Sequence, residues 1–365
     1  MRRLFRRLAS RLGPLLQSDT AFITAAYREI LRREADPDGL RYYRRALREG
    51  ADRTTVLLSL TRSEEYTNRL VRHATRLSGL RLLRPEQYRQ AVDITCGDTV
   101  TLFEVRSPPD FDWLEARILE NHYYEKPGVW TLEIDRDKRV IAEIIAAFTP
   151  ERPLELGCAA GAVLHCLHEE GIATEGVEIS AMAIARAPET VRGRIHQGDL
   201  LALELPACYD LIYGLDIYEH LNPNRLDDYL QRLAELTETG GYLFCNIPAF
   251  GDDPVFGTVF PLYIPAWQRD ADANRPFTLL HVDDEGYPIH GHLTWAESRW
   301  WVERFEAHGF RREPEIERAL HRKYDDYMKQ HTPARVSYYV FAKDASPERR
   351  AGIIGRIGRP SNALG

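Results

Sequence analysis

Apolar residues recur with two different periods along this 365-residue chain, and the change of period divides it. Up to about residue 80 the period is helical. Phe22, Ala26 and Ile30, then Leu40, Tyr43 and Leu47, fall three or four positions apart. Asp36-Pro37 breaks the pattern, with the aspartate as a cap and the proline at a first helical position. Thr54 and Ser63 read as caps of the next two helices. Residues 81–120 are mixed: VTLFEV reads as a strand and SPPD as a turn-rich break.

From about Val140 short apolar runs alternate with helical ones. PLELG, TEGVEIS, RIHQGD, YDLIYGLD and GGYLFCNIP read as five strands, the last entered through a Gly240-Gly241 turn. Helices are expected at 162–170, in AMAIARA and at 225–237. A long insertion then precedes a helix at 296–308. EPEIE and RVSYYVFAKD follow as two late strands separated by a short helical segment. Alternating strands and helices predict a parallel, doubly wound sheet, and right-handed crossovers put helices on both faces. The expected organisation is a basic amphipathic helix at 1–17, a small all-α domain at 18–80 and a connector or cap at 81–120. An α/β domain follows at 121–344 with a substrate insertion at 249–294, and the arginine- and glycine-bearing stretch 345–365 reads as a flexible tail.

Composition narrows the functional classes. With 44% hydrophobic residues the chain can bury a sizeable core. A net charge of -7 argues against a broad nucleic-acid surface, which needs clustered cations to displace counterions. The five cysteines, Cys96, Cys158, Cys166, Cys208 and Cys245, are odd in number and form no CxxC pair, so free thiols in a reducing compartment are expected. Cys208 and Cys245 are expected on strands as small core hydrophobes. MRRLFRRLASRLGPLL lacks the apolar core of a secretory signal, and no segment approaches the roughly 18 apolar residues of a membrane span. The expected location is cytoplasmic. The basic helix either lies on an anionic membrane surface, which would put the protein at the inner membrane, or packs on its own protein.

In a sheet of this kind ligands bind at the carboxyl ends of strands, near the point where strand order reverses. The first strand-to-helix turn reads Glu155-Leu-Gly157-Cys158-Ala159-Ala-Gly161. It lacks the G-x-G-x-x-G spacing of a pyrophosphate site. Its leading Glu155 would repel a pyrophosphate and suits a ligand with an ammonium and a sulfonium. Glu178 ends the second strand, where a carboxylate accepts ribose hydroxyls, with Ile179 beside it. Asp199 ends the third strand, and LDIYEHL puts Asp216 and His220 at the mouth of the fourth.

This ordered set resembles the class I S-adenosylmethionine-dependent methyltransferases over roughly residues 120–344. The resemblance implies a Rossmann-like, seven-stranded sheet with an antiparallel last strand and S-adenosyl-L-methionine as cofactor. It assigns Glu155, Gly157 and Gly161 to the first motif, Glu178 to the ribose, Asp199 and Leu200 to the adenine, and Asp216 with Ile217 to the methionine end. Ala159 departs from the pattern, where the family often has glycine. FITAAYREILRREADPDGLRYYRRALREGADRTTVLLSLTRSEEY resembles a small helical domain of bacterial surface and glycan-associated proteins, akin to phycobilisome linker domains. That implies docking to glycan-assembly proteins, or a packing appendage.

Methyl transfer to a hydroxyl needs a base, and His220, His290 and His292 are the candidates. His220 has a cap or substrate contact as its alternative role. His290 and His292 could instead bind metal with Asp283 and Asp284, although H-x-H alone is a weak metal signature and no metal is expected. Trp295 and Trp300 are candidates to stack on a sugar ring, whereas Trp301 fits a core position better. The stretch GYPIHGHLTWAESRWWVERFEAHGF resembles a bacterial methyltransferase subgroup tied to surface-polysaccharide assembly, which implies O-methylation of a sugar hydroxyl on a glycan or its precursor. Methylation of a quinone or lipid precursor, and a scaffold that has lost turnover, are the alternatives. An NAD-dependent reading lacks both the fingerprint and a Tyr-x-x-x-Lys pair.

Overall fold

The structure, a computed structural model, describes residues 18–31, 33–61, 63, 80–125, 132, 134–361 and 363–364. The chain divides into two compact units, Met1–Ser78 with Lys126–Val129, and Gly79–Glu125 with Trp130–Gly365.

In the first unit, α1 (Asp19–Ala26) runs into a π-helical turn, Tyr27–Leu31, and α2 (Pro37–Arg48) and α3 (Arg53–Thr61) follow. Asp36 caps α2 by accepting the Gly39 N–H at 2.7 Å. The cap of α3 is Asp52, which accepts the Thr55 N–H at 2.6 Å, and not Thr54. Phe22, Ile23, Ala26 and Ile30 pack with Val56 and Leu60 into a small apolar core. The basic helix expected at 1–17 and the helix that Ser63 was expected to cap lie outside the described residues.

The second unit opens with β1 (Tyr88–Val92), β2 (Thr99–Glu104) and α4 (Pro108–Glu120). SPPD is therefore a helix start and not a break: Asp110 turns back to accept the Arg106 and Ser107 N–H groups, and the prolines occupy first-turn positions that need no donor. After α5 (Arg136–Ala146) the chain alternates through β3 (Pro153–Leu156), α6 (Ala162–Glu169), β4 (Glu175–Glu178), α7 (Ala181–Ala185), α8 (Glu189–Arg192) and β5 (Ile195–Gln197). It returns through β6 (Tyr209–Leu215), α9 (Leu226–Leu236) and β7 (Thr237–Asn246). The insertion holds α10 (Gln268–Asp272) and β8 (Leu279–Val282). Then come α11 (Ser298–Ala307), β9 (Arg311–Arg312), α12 (Pro314–His331), β10 (Tyr338–Ala342) and α13 (Pro347–Ile357).

The main sheet has seven strands in the order β5-β4-β3-β6-β7-β10-β9. β3 to β7 are parallel, and β10 runs antiparallel between β7 and β9. This is the expected Rossmann-like methyltransferase sheet. One face is covered by α5, α6, α12 and α13 through residues such as Ile141, Val163, Leu320 and Ile353. The other is covered by α9 and α11 through Leu230, Leu233 and Trp301.

Four local readings change. EPEIE is the start of an 18-residue helix, because Ile316, Ala319 and Leu320 face the core at helical spacing behind a first-turn proline. The stretch after Ser346 is not a flexible tail: Ser346 caps α13, and Ile353 and Ile357 are buried. Cys208 stands just before β6, while Cys245 lies in β7 and is buried. Gly240-Gly241 lies inside β7, where the β6 register shifts between Tyr209 and Leu211, and Gly240 takes the left-handed backbone of that irregularity (φ +86°).

A second, antiparallel sheet in the order β1-β2-β8 joins the connector to the insertion. Phe103, Trp267, Phe277 and Leu280 fill its core. Arg312 clamps the insertion's root to the main sheet by forking onto Asp253 at 2.9 Å on both oxygens while its Nε meets Glu317 at 2.9 Å. The Asp253 and Glu317 side chains are essentially inaccessible to solvent.

Candidate active site

The chain leaves β3 for β4 and β5, then returns to β6 on the other side, so strand order reverses between β3 and β6. At that point the turn after β3 uses three left-handed residues, Gly157 (φ +61°), Ala159 (φ +48°) and Gly161 (φ +69°). A Cβ on Gly157 would lie 2.7 Å from Ile217 Cδ1, so two cavity-lining loops meet only because glycine is there. Ala159 holds its disfavoured backbone, at a cost of about 1–2 kcal/mol, with its N–H donating to Glu178 Oε2 at 2.8 Å. That bond explains how alanine serves where the related pattern often has glycine.

These loops border a cavity of about 1370 Å³. Glu155, Gly157, Cys158, Ala159, Glu178, Ile179, Asp199, Leu200, Asp216 and Ile217 all line it, while Gly161 sits just behind as the cap of α6. Glu155 is buried and accepts a hydrogen bond from the Tyr213 hydroxyl at 3.2 Å. Burial pushes its carboxyl up to about 8. Glu178 accepts the Ala159 and Ser180 N–H groups on different oxygens, at 2.8 Å each, which leaves a lone pair on each for neighbouring hydroxyls. Burial works to raise the Asp199 pKa, but the Leu201 N–H, Arg225 and Tyr229 together hold it below the usual range. Asp216 has a left-handed backbone (φ +52°) and meets Arg335 Nε at 3.2 Å; burial raises its pKa against that pairing.

At the other end the three histidines share the cavity wall. The His220 and His292 rings are 4.6 Å apart and those of His290 and His292 5.5 Å. Burial drives His220 down to about 4 and His292 well below its ordinary value, so both imidazoles are neutral. The turn Tyr218–His220 is a single 3-10 turn, and it brings Glu219 into the same cluster. Glu219 escaped the sequence reading because alternate positions of a strand end leave it beside His220, not with it. Arg335 and Tyr124 also join the wall, from segments far away in the chain.

The structure does not bring Asp283 to the histidines. Its carboxylate closes its own turn, accepting the Glu285 and Tyr287 N–H groups at 2.9 and 3.0 Å. Among the described residues the metal-type grouping of the histidines is with Glu219. Trp295 lines the cavity, stacked on Phe250, whereas Trp300 and Trp301 lie in the core between α11 and the sheet. Stacking of Trp300 on a ligand is thereby ruled out.

A cleft whose strand-end turns carry Glu155, Glu178, Asp199 and Asp216 is a poor seat for phosphates and suits a cationic, sulfonium-bearing nucleoside, and the fold around it is that of the Rossmann-like methyltransferases. Residues 133–322, just over half of the chain, match the family model described as a methyltransferase domain. The chain belongs to that family, and S-adenosylmethionine is its cofactor. Residues 9–70 match a domain of unknown function (DUF4214). No curated protein sequence matches.

Similar solved structures include an S-adenosylmethionine-bound amino pentose methyltransferase of Micromonospora echinaspora, 16% identical, covering 62% of this chain and 96% of that one at a TM-score of 0.38. Another is the 1,6-didemethyltoxoflavin-N1-methyltransferase of Burkholderia thailandensis, with 18% identity, 68% and 96% coverage and a TM-score of 0.40. A third is an S-adenosylmethionine-dependent methyltransferase of Archaeoglobus fulgidus, with 20% identity, 48% and 70% coverage and a TM-score of 0.34.

Proposed function

We propose that this methyltransferase transfers the methyl group to a hydroxyl of a sugar-containing acceptor, a surface glycan or its precursor. The observation that carries the reading is the histidine cluster in the cavity wall: His220, His290 and His292 beside a stacked Phe250–Trp295 pair and Tyr263. A ring nitrogen of His290 can take a proton, and aromatic faces with nearby polar groups suit the alternating apolar and hydroxyl surfaces of a sugar.

In this reading Glu155 pairs with the cofactor's ammonium and Glu178 accepts its ribose hydroxyls. Asp199, Leu200 and Ile179 border the adenine, and Asp216 and Ile217 the methionine end. Exposed His290 takes the acceptor proton as oxygen bonds to the methyl carbon and the carbon–sulfur pair returns to sulfur. His220 and His292 orient the acceptor. The segment 1–17 contacts an anionic membrane surface at the cytoplasmic face, and residues 18–80 dock to glycan-assembly proteins. Among the described residues no helix is long and apolar enough to cross a membrane.

The test is transfer of a labelled methyl group from S-adenosylmethionine to extracted nucleotide sugars and envelope glycans, with lipid and quinone fractions alongside. Label in the sugar fractions, lost in His290→Ala, is expected. Label confined to the organic phase would replace the sugar acceptor with a quinone or lipid precursor.

A further inference from the structure

Glu219 is 1% exposed, and among the described residues neither of its carboxylate oxygens has a hydrogen-bond partner. A buried carboxylate left like this is costly unless a cation or a proton compensates it. Two imidazoles, those of His220 and His292, stand beside it. One ligand atom each from Glu219, His220 and His292 lie within 4.8 Å of one another, and Glu219 Oε1 is 3.7 Å from His292 Nε2.

The surrounding backbone fixes this grouping. The Glu219 carbonyl accepts the Thr294 N–H at 2.8 Å, and the Thr294 hydroxyl donates to the Leu221 carbonyl at 2.7 Å, which pins the end of β6 to the insertion. His290 (φ +58°) and Gly291 (φ +79°) turn the chain so that His292 follows inward. Any side chain at Gly291 would strike the Tyr124 hydroxyl, 2.7 Å from its Cβ position. That hydroxyl is 3.2 Å from both the Gly291 carbonyl and His220 Nδ1. With one proton to give, it donates to the carbonyl and accepts from Nδ1–H. In that tautomer the lone pair sits on the other ring nitrogen, Nε2, the usual arrangement behind a metal-ligating histidine.

We propose that Glu219, His220 and His292 bind a divalent transition cation at the acceptor end of the cavity. Two imidazoles and one carboxylate suit zinc, cobalt or manganese, and three protein ligands leave positions open for an oxygen of the acceptor. The role, though not the binding, rests on the hydroxyl acceptor proposed above. A cation there acidifies the acceptor hydroxyl. The proton leaves to His290, the oxygen–carbon bond forms and the sulfur–carbon bond breaks, with its electron pair going to sulfur.

The experiment uses the full chain stripped with chelator and titrated with zinc, manganese and cobalt(II), with metal content read by mass spectrometry and cobalt ligation by visible absorption. One equivalent per chain is expected. Glu219→Gln and His292→Asn should each weaken binding by more than about 100-fold, beyond the roughly 10- to 100-fold of second-shell changes. S-adenosylmethionine affinity, measured by calorimetry on the same variants, should hold and so certify their folding. No stoichiometric metal in the unmodified protein, or affinity unchanged in both variants, overturns the site. Metal bound without methylated sugar leaves the site standing and removes the acceptor reading. Chelator-insensitive methylation of sugar by a metal-free chain does the reverse.

Discussion

The two ends of the cavity are built on opposite principles. At the cofactor end nearly every polar group already has a protein partner: Glu178 holds two backbone N–H groups, and Asp199 holds a backbone N–H, Arg225 and Tyr229. At the acceptor end Glu219 has none among the described residues, and burial keeps His220 and His292 neutral beside it. The first arrangement fixes geometry before the ligand arrives, which lowers the ordering cost of binding. The second stores an unmet electrostatic demand that a ligand must satisfy. A rigid cofactor seat beside a demanding acceptor seat allows one donor chemistry to be kept while the acceptor is selected.

The largest effect should come from breaking the cofactor seat. Gly157→Leu meets two obstacles at once, a left-handed backbone and a Cβ position 2.7 Å from Ile217. We expect S-adenosylmethionine binding to become undetectable by calorimetry, while metal uptake at Glu219, His220 and His292 persists. Retained cofactor affinity would contradict the assigned seat.

That difference also explains what the sequence made legible. The cofactor end is local: Glu155 to Gly161 is one turn, and Glu178, Asp199 and Asp216 each end a strand whose apolar run announces it. The parallel part of the sheet was legible from the same alternation, whereas the seven strands with an antiparallel last one were implied only by the resemblance to the methyltransferases. The acceptor end is assembled over distance, with Tyr124 before the sheet, Glu219 and His220 after β6, His292 from the insertion and Arg335 beyond α12. No spacing in the chain records that convergence. Asp283 looked like a partner of His290 because it is near in sequence, yet its carboxylate was already committed to its own turn. The connector and insertion read as separate pieces for a similar reason, since β2 and β8 pair across about 180 residues of chain. EPEIE misled differently: five residues fit either period, and only the residues after it reveal the helix.

Arg312 offers a way to separate the ends mechanically. It holds Asp253, at the root of the insertion, and Glu317, on α12, in a buried three-membered ion network. Removing one member strands the other charges without water, at a cost of about 3–5 kcal/mol. Arg312→Ala should therefore lower the urea midpoint sharply. Where the variant is still folded, cofactor affinity should be kept and metal affinity reduced, because only the acceptor end hangs from the insertion. Equal loss of both would mean that the two ends are one cooperative seat.

The smallest effect concerns Glu155, a buried cofactor-end acid whose hydrogen bond among the described residues comes from the Tyr213 hydroxyl. Its folded-state carboxyl is pushed up to about 8 from an ordinary 4.5, chiefly by burial, with the Tyr213 hydroxyl opposing. Between those values the unfolded chain has released the proton and the folded chain still holds it. The folded state thus binds more protons, and stability falls as pH rises across that window. The contribution is fully present below about pH 4.5 and gone above about pH 8. Glu155→Gln imitates the protonated form at every pH, so its urea midpoint should decline less between pH 5 and 8 than that of the unmodified chain, both measured without cofactor. Parallel declines would show that Glu155 is ionised in the folded state throughout, with a partner beyond Tyr213. Glu155 would then be as well partnered as Glu178 and Asp199, and the contrast with Glu219 sharper still.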